Sequence, residues 1–129
     1  MLEDGANRSG SRVNSGASAA IEPVARVVRI HLAGFTLAET RSALILREPG
    51  QPAVIYVPRE DVDEAMMVRS SHRMSSPDKG ACIYFHLPDA GQRGENAAWT
   101  FENPPAPFEA LKAHVAFDPR GVDWIQIQA

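Results

Sequence analysis

The chain has few of the residues that staple or anchor a fold. Among its 129 residues there is one cysteine, Cys82, so neither an intrachain disulfide nor a multi-thiolate zinc site can form. The fold must rest on burial and backbone hydrogen bonds, and a reducing, cytoplasmic location is expected. No run approaches the roughly 18 apolar residues of a membrane-spanning helix, and the N-terminus lacks the basic-then-apolar order of a secretory signal. No membrane partner is expected. Lysine is scarce: eleven of the 13 basic residues are arginines, scattered without a stripe, and the net charge is -3. A nucleic-acid partner is therefore not expected either. Sustained helical periodicity is missing too, which excludes a doubly wound α/β sheet with its long crossover helices.

What is present has the composition of a globular protein, with 44% hydrophobic and 22% charged residues. The length suits one domain with one buried core. Residues 1–22 are rich in Ser, Gly, Ala and Asn and nearly free of large apolar side chains. They cannot repay their ordering entropy alone, so they are expected as a flexible tail, the alternative being that part of them packs on a neighbouring subunit. Residues 23–129 form the expected single β-rich domain.

Within that domain, short segments of period two mark half-buried strands. Val28, Ile30 and Leu32 share a face, Gly34 turns the chain, and Phe35–Glu39 returns as a hairpin strand. Ser42–Arg47 and Ala53–Val57 flank the Pro49, Gly50 and Pro52 turn cluster. The charged string from Arg59 to Asp63 suits a loop or one helical turn, and a short strand is expected over Met66–Arg69. Residues 70–80 read as the longest loop of the folded region. Ala81–Leu87 alternates strongly, Asp89–Gly94 is a polar hairpin tip, and Asn96–Phe101 returns. Asn103-Pro104-Pro105-Ala106-Pro107 lacks three backbone donors and must end the sheet segment. Phe108, Leu111 and Val115 recur at helical spacing, which predicts one short helix over residues 108–114. Val115–Phe117 and Trp124–Ile127 close the chain as strands. The fold class is thus mainly β, a β-dominated α+β domain.

Four strings carry a family resemblance across residues 25 to 125. They are Tyr56-Val57-Pro58-Arg59-Glu60-Asp61-Val62; Pro77-Asp78-Lys79-Gly80 with Tyr84; Glu95-Asn96-Ala97-Ala98-Trp99; and His114-Val115-Ala116-Phe117-Asp118-Pro119 ahead of Val122-Asp123-Trp124. In this order they resemble a bacterial family called domain of unknown function 427, sometimes labelled nucleotidyltransferase-like. The resemblance implies a small folded antiparallel sheet of the β-tent or Mss4-like kind, and no reaction. The family's usual Thr-x-Cys-Pro-x-Lys-Gly string has Ser76 at its cysteine position here, which removes any thiol role from that place.

The charged residues of these strings each stand near an aromatic: Arg59 near Tyr56, Lys79 near Tyr84, Glu95 and Asn96 near Trp99. Brought together, Arg59 and Lys79 would neutralise an anion, Glu95 and Asn96 would read polar edges, and Tyr84 or Trp99 would stack on a ring. The expected ligand is a small anionic or nucleotide-like molecule. The competing expectation is a non-catalytic structural or interaction domain: Arg59 would pair with Glu95, Trp99 would be core, and Lys79 with Gly80 would shape a turn. Cations open in a pocket would mark the first, cations paired within the fold the second.

Other chemistries fit less well, and no catalytic residue is assigned. Asp61-Val62-Asp63 has the Asp-x-Asp spacing of a nucleotidyltransferase, but it sits in a polar turn and the one Gly-Ser pair, Gly10-Ser11, is about fifty residues away. Cys82 and His86 lie four positions apart along a strand, about 13 Å at ~3.3 Å per residue, too far for one metal ion. No metal or cofactor is expected. Ser75, Ser76 and His72 are near in sequence only. The apolar segment Trp124, Ile125 and Ile127 suits a sheet edge, through which a homodimer is expected.

Overall fold

Among the described residues, alternation becomes pairing in ten strands. The computed structural model describes residues 19–128. The strands are β1 (Ala20–Pro23), β2 (Val28–Leu32), β3 (Phe35–Thr40), β4 (Leu44–Arg47), β5 (Val54–Pro58), β6 (Val68–Ser76), β7 (Gly80–His86), β8 (Ala98–Phe101), β9 (His114–Phe117) and β10 (Trp124–Ile127). All pairs are antiparallel. Seven strands form one sheet in the order β1-β4-β5-β9-β8-β7-β6, and three form a second in the order β10-β2-β3. The fold is mainly β.

The period of two sorts side chains between two cores. Val57, Ile83, Phe85, Ala98, Val115 and Phe117 point from the large sheet toward Val28, Ile30, Leu32 and Leu37 of the small one, which makes the inter-sheet core. Their neighbours Tyr56, Cys82, Phe101 and Ala116 point the other way and are covered by Phe108 and Leu111. Both faces of the large sheet are thus apolar in its middle. Gly94 permits the tight connection before β8: an added Cβ there would stand 2.0 Å from the Leu87 carbonyl oxygen.

Four local expectations are corrected. The segment around Phe108 is a 3-10 helix over Ala106–Leu111, not a helix over 108–114. Pro105 and Pro107 restrict its start, Ala113 takes φ 61° just after it, and His114 already begins β9. Phe108 and Leu111 fit three residues per turn as well as 3.6, whereas Val115 belongs to the strand. Residues 70–80 are not a long loop: β6 continues to Ser76 and pairs with β7, with a register shift between Arg69 and Arg73. An outer strand has little to bury, so its sequence need not alternate. Asp89–Gly94 belongs to a 3-10 segment over Pro88–Gly94 rather than a simple hairpin tip. Ala20, Ile21 and Glu22, assigned to the tail, lie in β1 opposite Arg47, Leu46 and Ile45. The expectation for residues 1–18 lies outside the described residues.

Candidate functional site

The large sheet's face opposite the small sheet carries a row of rings. Register places Tyr84 of β7 opposite Trp99 of β8, Trp99 opposite Ala116 of β9, and Ala116 opposite Tyr56 of β5. Ala116 is small, so the indole of Trp99 reaches across β9 and its Nε1–H donates to the Tyr56 hydroxyl at 3.2 Å. On the other side, Tyr84 and Trp99 have ring centres 6.4 Å apart, and the His72 ring of β6 lies 4.7 Å from Tyr84. The Tyr84 hydroxyl donates to the Met74 sulfur at 3.4 Å. Burial falls along the row, from Tyr56 at 2% exposure through half-buried Trp99 and Tyr84 to exposed His72. The half-buried rings form a shelf.

Burial keeps this face uncharged. The Tyr56 phenol is pushed up to about 12, chiefly by desolvation. Desolvation also raises Tyr84 and the Cys82 thiol. A thiol raised by burial in apolar surroundings is a poor nucleophile, so Cys82 serves as packing.

Lys79 stands at the margin of this face. Its ammonium meets Glu48 at 2.9 Å and Asp78 at 3.4 Å, and lies 4.9 Å from the centre of the Phe108 ring. Ser76 builds the turn beneath it: its hydroxyl donates to Asp78 at 2.7 Å and accepts the Lys79 N–H at 3.2 Å. The Asp78 carboxyl is held below its ordinary value first by that Ser76 hydrogen bond, with the Lys79 charge adding to it. Gly80 follows at φ 87°, where a side chain would be strained, so Pro77 to Gly80 is a turn set by backbone and side-chain chemistry together.

Arg59 is elsewhere. Its guanidinium binds both oxygens of Glu64, at 3.1 and 3.2 Å, and lies 5.1 Å from the centre of Phe85. Phe85 belongs to the inter-sheet core and Phe108 to the opposite one. The two cations therefore stand against opposite faces of the large sheet. Arg59 also does not pair with Glu95; the short reach to Glu64 within the same chain segment wins.

Glu95 is exposed at the end of the 3-10 segment, without an ion pair among the described residues. Asn96 is fastened into the framework. It takes φ 52°, its N–H donates to His86 Nδ1 at 3.0 Å, and its Oδ1 accepts from buried Ser70 at 2.5 Å. Of the six candidate residues, the fold joins Tyr84 and Trp99 directly, sets Lys79 at the same face's margin, and gives Arg59 and Asn96 intramolecular partners.

The Asp-x-Asp string is spent on turns. Asp61 accepts from the Thr40 hydroxyl at 2.7 Å, and Asp63 caps the 3-10 turn Glu64–Met66 by accepting the Ala65 N–H at 3.1 Å. Gly10-Ser11 lies outside the described residues. Among the described residues no three His, Cys, Asp or Glu side chains gather closely enough to hold a metal ion. No described helix is long and apolar enough to cross a membrane.

Three contributors escaped the sequence. Glu48 is 31 positions from Lys79 and Phe108 is 29 beyond it, so no spacing announces their meeting. The sequence around His72 reads as a loop, and only the strand character of β6 brings its ring to Tyr84.

In comparisons with known proteins, a family model described as Domain of unknown function (DUF427) matches residues 20–128. No curated protein matches the chain.

Proposed function

Since the chain belongs to the DUF427 family, a membership that names no reaction, we propose from its geometry that the domain binds a small planar, nucleotide-like ligand whose ring lies on the Tyr84–Trp99 shelf. The observation that carries this reading is that the two rings are held in register on adjacent strands, remain half-buried, and continue into the exposed His72 ring. Stacking on such a surface needs no charge. Trp99 is oriented by its hydrogen bond to Tyr56 and Tyr84 by its contact with Met74, so neither ring must be ordered on binding. The expected anion contacts have less support, because Lys79 and Arg59 already hold carboxylates. A single buried cysteine suits a reducing compartment, the bacterial cytoplasm.

That same pairing favours a second reading, a non-catalytic interaction domain whose motif residues hold its turns. One titration separates the two. Trp124→Phe leaves Trp99 as the sole indole, and its fluorescence is followed against adenosine, guanosine, their monophosphates and aromatic carboxylic acids. Saturable quenching that disappears in Tyr84→Ala and persists in Arg59→Ala supports ring binding. No change with any of them up to about 1 mM, where binding would be worth only about 4 kcal/mol, leaves the interaction reading.

A further inference from the structure

Among the described residues, four strand edges border the two sheets, and three carry a feature that discourages pairing. β1 carries the charge of Glu22 and the donorless backbone of Pro23. β6 exposes Arg69 and Arg73 and has a register shift between them. β3 is partly covered: Ala38 bridges to Val62, and the Asp63 N–H donates to the Leu37 carbonyl at 2.8 Å. Among the described residues β10 has no such feature. Its sequence, Trp124-Ile125-Gln126-Ile127, has no charge or proline, it pairs with β2 without a register shift, and Trp124 and Ile127 are 57% and 46% exposed.

The backbone of β10 is set up to pair. The Gln128 N–H donates to the Val27 carbonyl at 2.9 Å, so by the alternation of an antiparallel ladder Gln126 also turns its backbone groups toward β2. Ile125 and Ile127 then turn theirs to the open edge.

We propose that a second copy of this chain fills this edge, β10 pairing antiparallel with β10 about a two-fold axis through Gln126. In that register the Ile125 N–H donates to the partner's Ile127 carbonyl and the Ile127 N–H to the partner's Ile125 carbonyl, each repeated by the two-fold. Ile125 and Ile127 lie opposite one another across the join, which covers the exposed Ile127. A second copy is the occupant because the edge is self-complementary: it is uncharged, so like meets like without repulsion, whereas two copies of β6 would bring four arginines together. The small sheet then runs unbroken through both subunits as β3-β2-β10-β10-β2-β3. Four-residue strands bury less than about 1,200 Å², which sets a weak, concentration-dependent dimer. The join is on the small sheet and is independent of the ring shelf on the large one.

The axis supplies the test. Two copies of residue 126 would face each other as a non-hydrogen-bonded pair with Cα atoms about 4.5 Å apart, within disulfide reach. Gln126→Cys should therefore oxidise to a covalent dimer at least about tenfold faster than Gln128→Cys, whose opposite residue is Trp124. Native Cys82 is buried and contributes little. Adding Ile127→Lys to Gln126→Cys should bring the rate down to that of Gln128→Cys, with circular dichroism confirming the fold. Sedimentation of the unaltered chain should show the mass doubling as concentration rises toward about 1 mM. Equal oxidation rates for the two cysteine variants, or a single-chain mass throughout that range, would overturn the proposal whatever the lysine variant does.

Discussion

The Lys79 ammonium sits between the Glu48 carboxylate at 2.9 Å and the face of Phe108 at 4.9 Å, with 12% of its side chain exposed. It therefore ties three distant segments together: the chain after β4, the β6–β7 turn, and the 3-10 helix that covers the second core. Such a pair lies between the exposed case, worth up to about 1 kcal/mol, and the buried case, where removing one partner costs about 3–5. Glu48 keeps 25% of its side chain in solvent, so Lys79→Ala should lower the unfolding free energy by about 1–2 kcal/mol in urea titrations. Lys79→Met should lose less, because its stem still covers Phe108. A change under about 0.3 kcal/mol in both would show that the pair does not hold the fold.

Trp99 contributes in two separable ways. Its half-buried ring packs on the second core, and its Nε1–H satisfies the Tyr56 hydroxyl. Trp99→Phe keeps most of the packing and should cost about 1 kcal/mol, the usual net value of a hydrogen bond. Trp99→Ala should cost about 2–3 kcal/mol, below the fully buried range because the ring is partly exposed. In a Tyr56→Phe background the Trp99→Phe penalty should shrink, and a double-mutant cycle measures that coupling. An unchanged penalty would show that the bond adds nothing to stability.

Tyr56 makes stability fall in base. Its phenol is raised from 10.0 to about 12 in the fold, chiefly by burial. The unfolded chain therefore releases this proton first, and the stabilisation is complete below pH 10 and lost as pH rises toward about 12. The loss is about 2–3 kcal/mol at most. Tyr84 and Cys82 are raised in the same direction and steepen the fall. Tyr56→Phe should flatten the decline in unfolding free energy between pH 10 and 12, read from urea titrations at several pH values. An equal slope in the variant and the parent chain would place the alkaline loss in other groups.

The legible part of the fold is the part that buries one face of a strand. β2, β5, β7 and β8 alternate because each separates two environments, and the shared face of Tyr84 and Cys82 follows from parity alone. β6 was hidden for the opposite reason: Val68–Ser76 lies at the sheet border with most side chains in solvent, so polar residues are tolerated at every second position. The spacing around Phe108 predicts a longer helix than forms because Phe108 and Leu111 sit three apart, a spacing common to both helix types, and the break at Ala113 is a backbone event. At the site, residue types singled out Tyr84, Trp99 and the two cations, but not the continuation of the row to His72. Which sheet face each cation would meet depends on Glu48, Glu64, Phe85 and Phe108, contacts that no local pattern encodes.

Asn96 gives the sharpest separation of framework from ligand contact. It holds φ 52°, a region that costs most residues about 1–2 kcal/mol and that Asn and Gly enter readily. Its side-chain oxygen also accepts from Ser70, which is only 5% exposed. Asn96→Gly keeps the backbone and loses the acceptor, so it should cost about 1 kcal/mol. Asn96→Ala loses the acceptor and adds the backbone strain, for about 2–3 kcal/mol in total. Asn96→Asp keeps both the acceptor and the tolerated backbone and should melt closest to the parent chain. That ranking, Asp above Gly above Ala in thermal unfolding, belongs to a residue that shapes the entry to β8; three variants of equal stability would return Asn96 to the surface as a group free to contact a ligand.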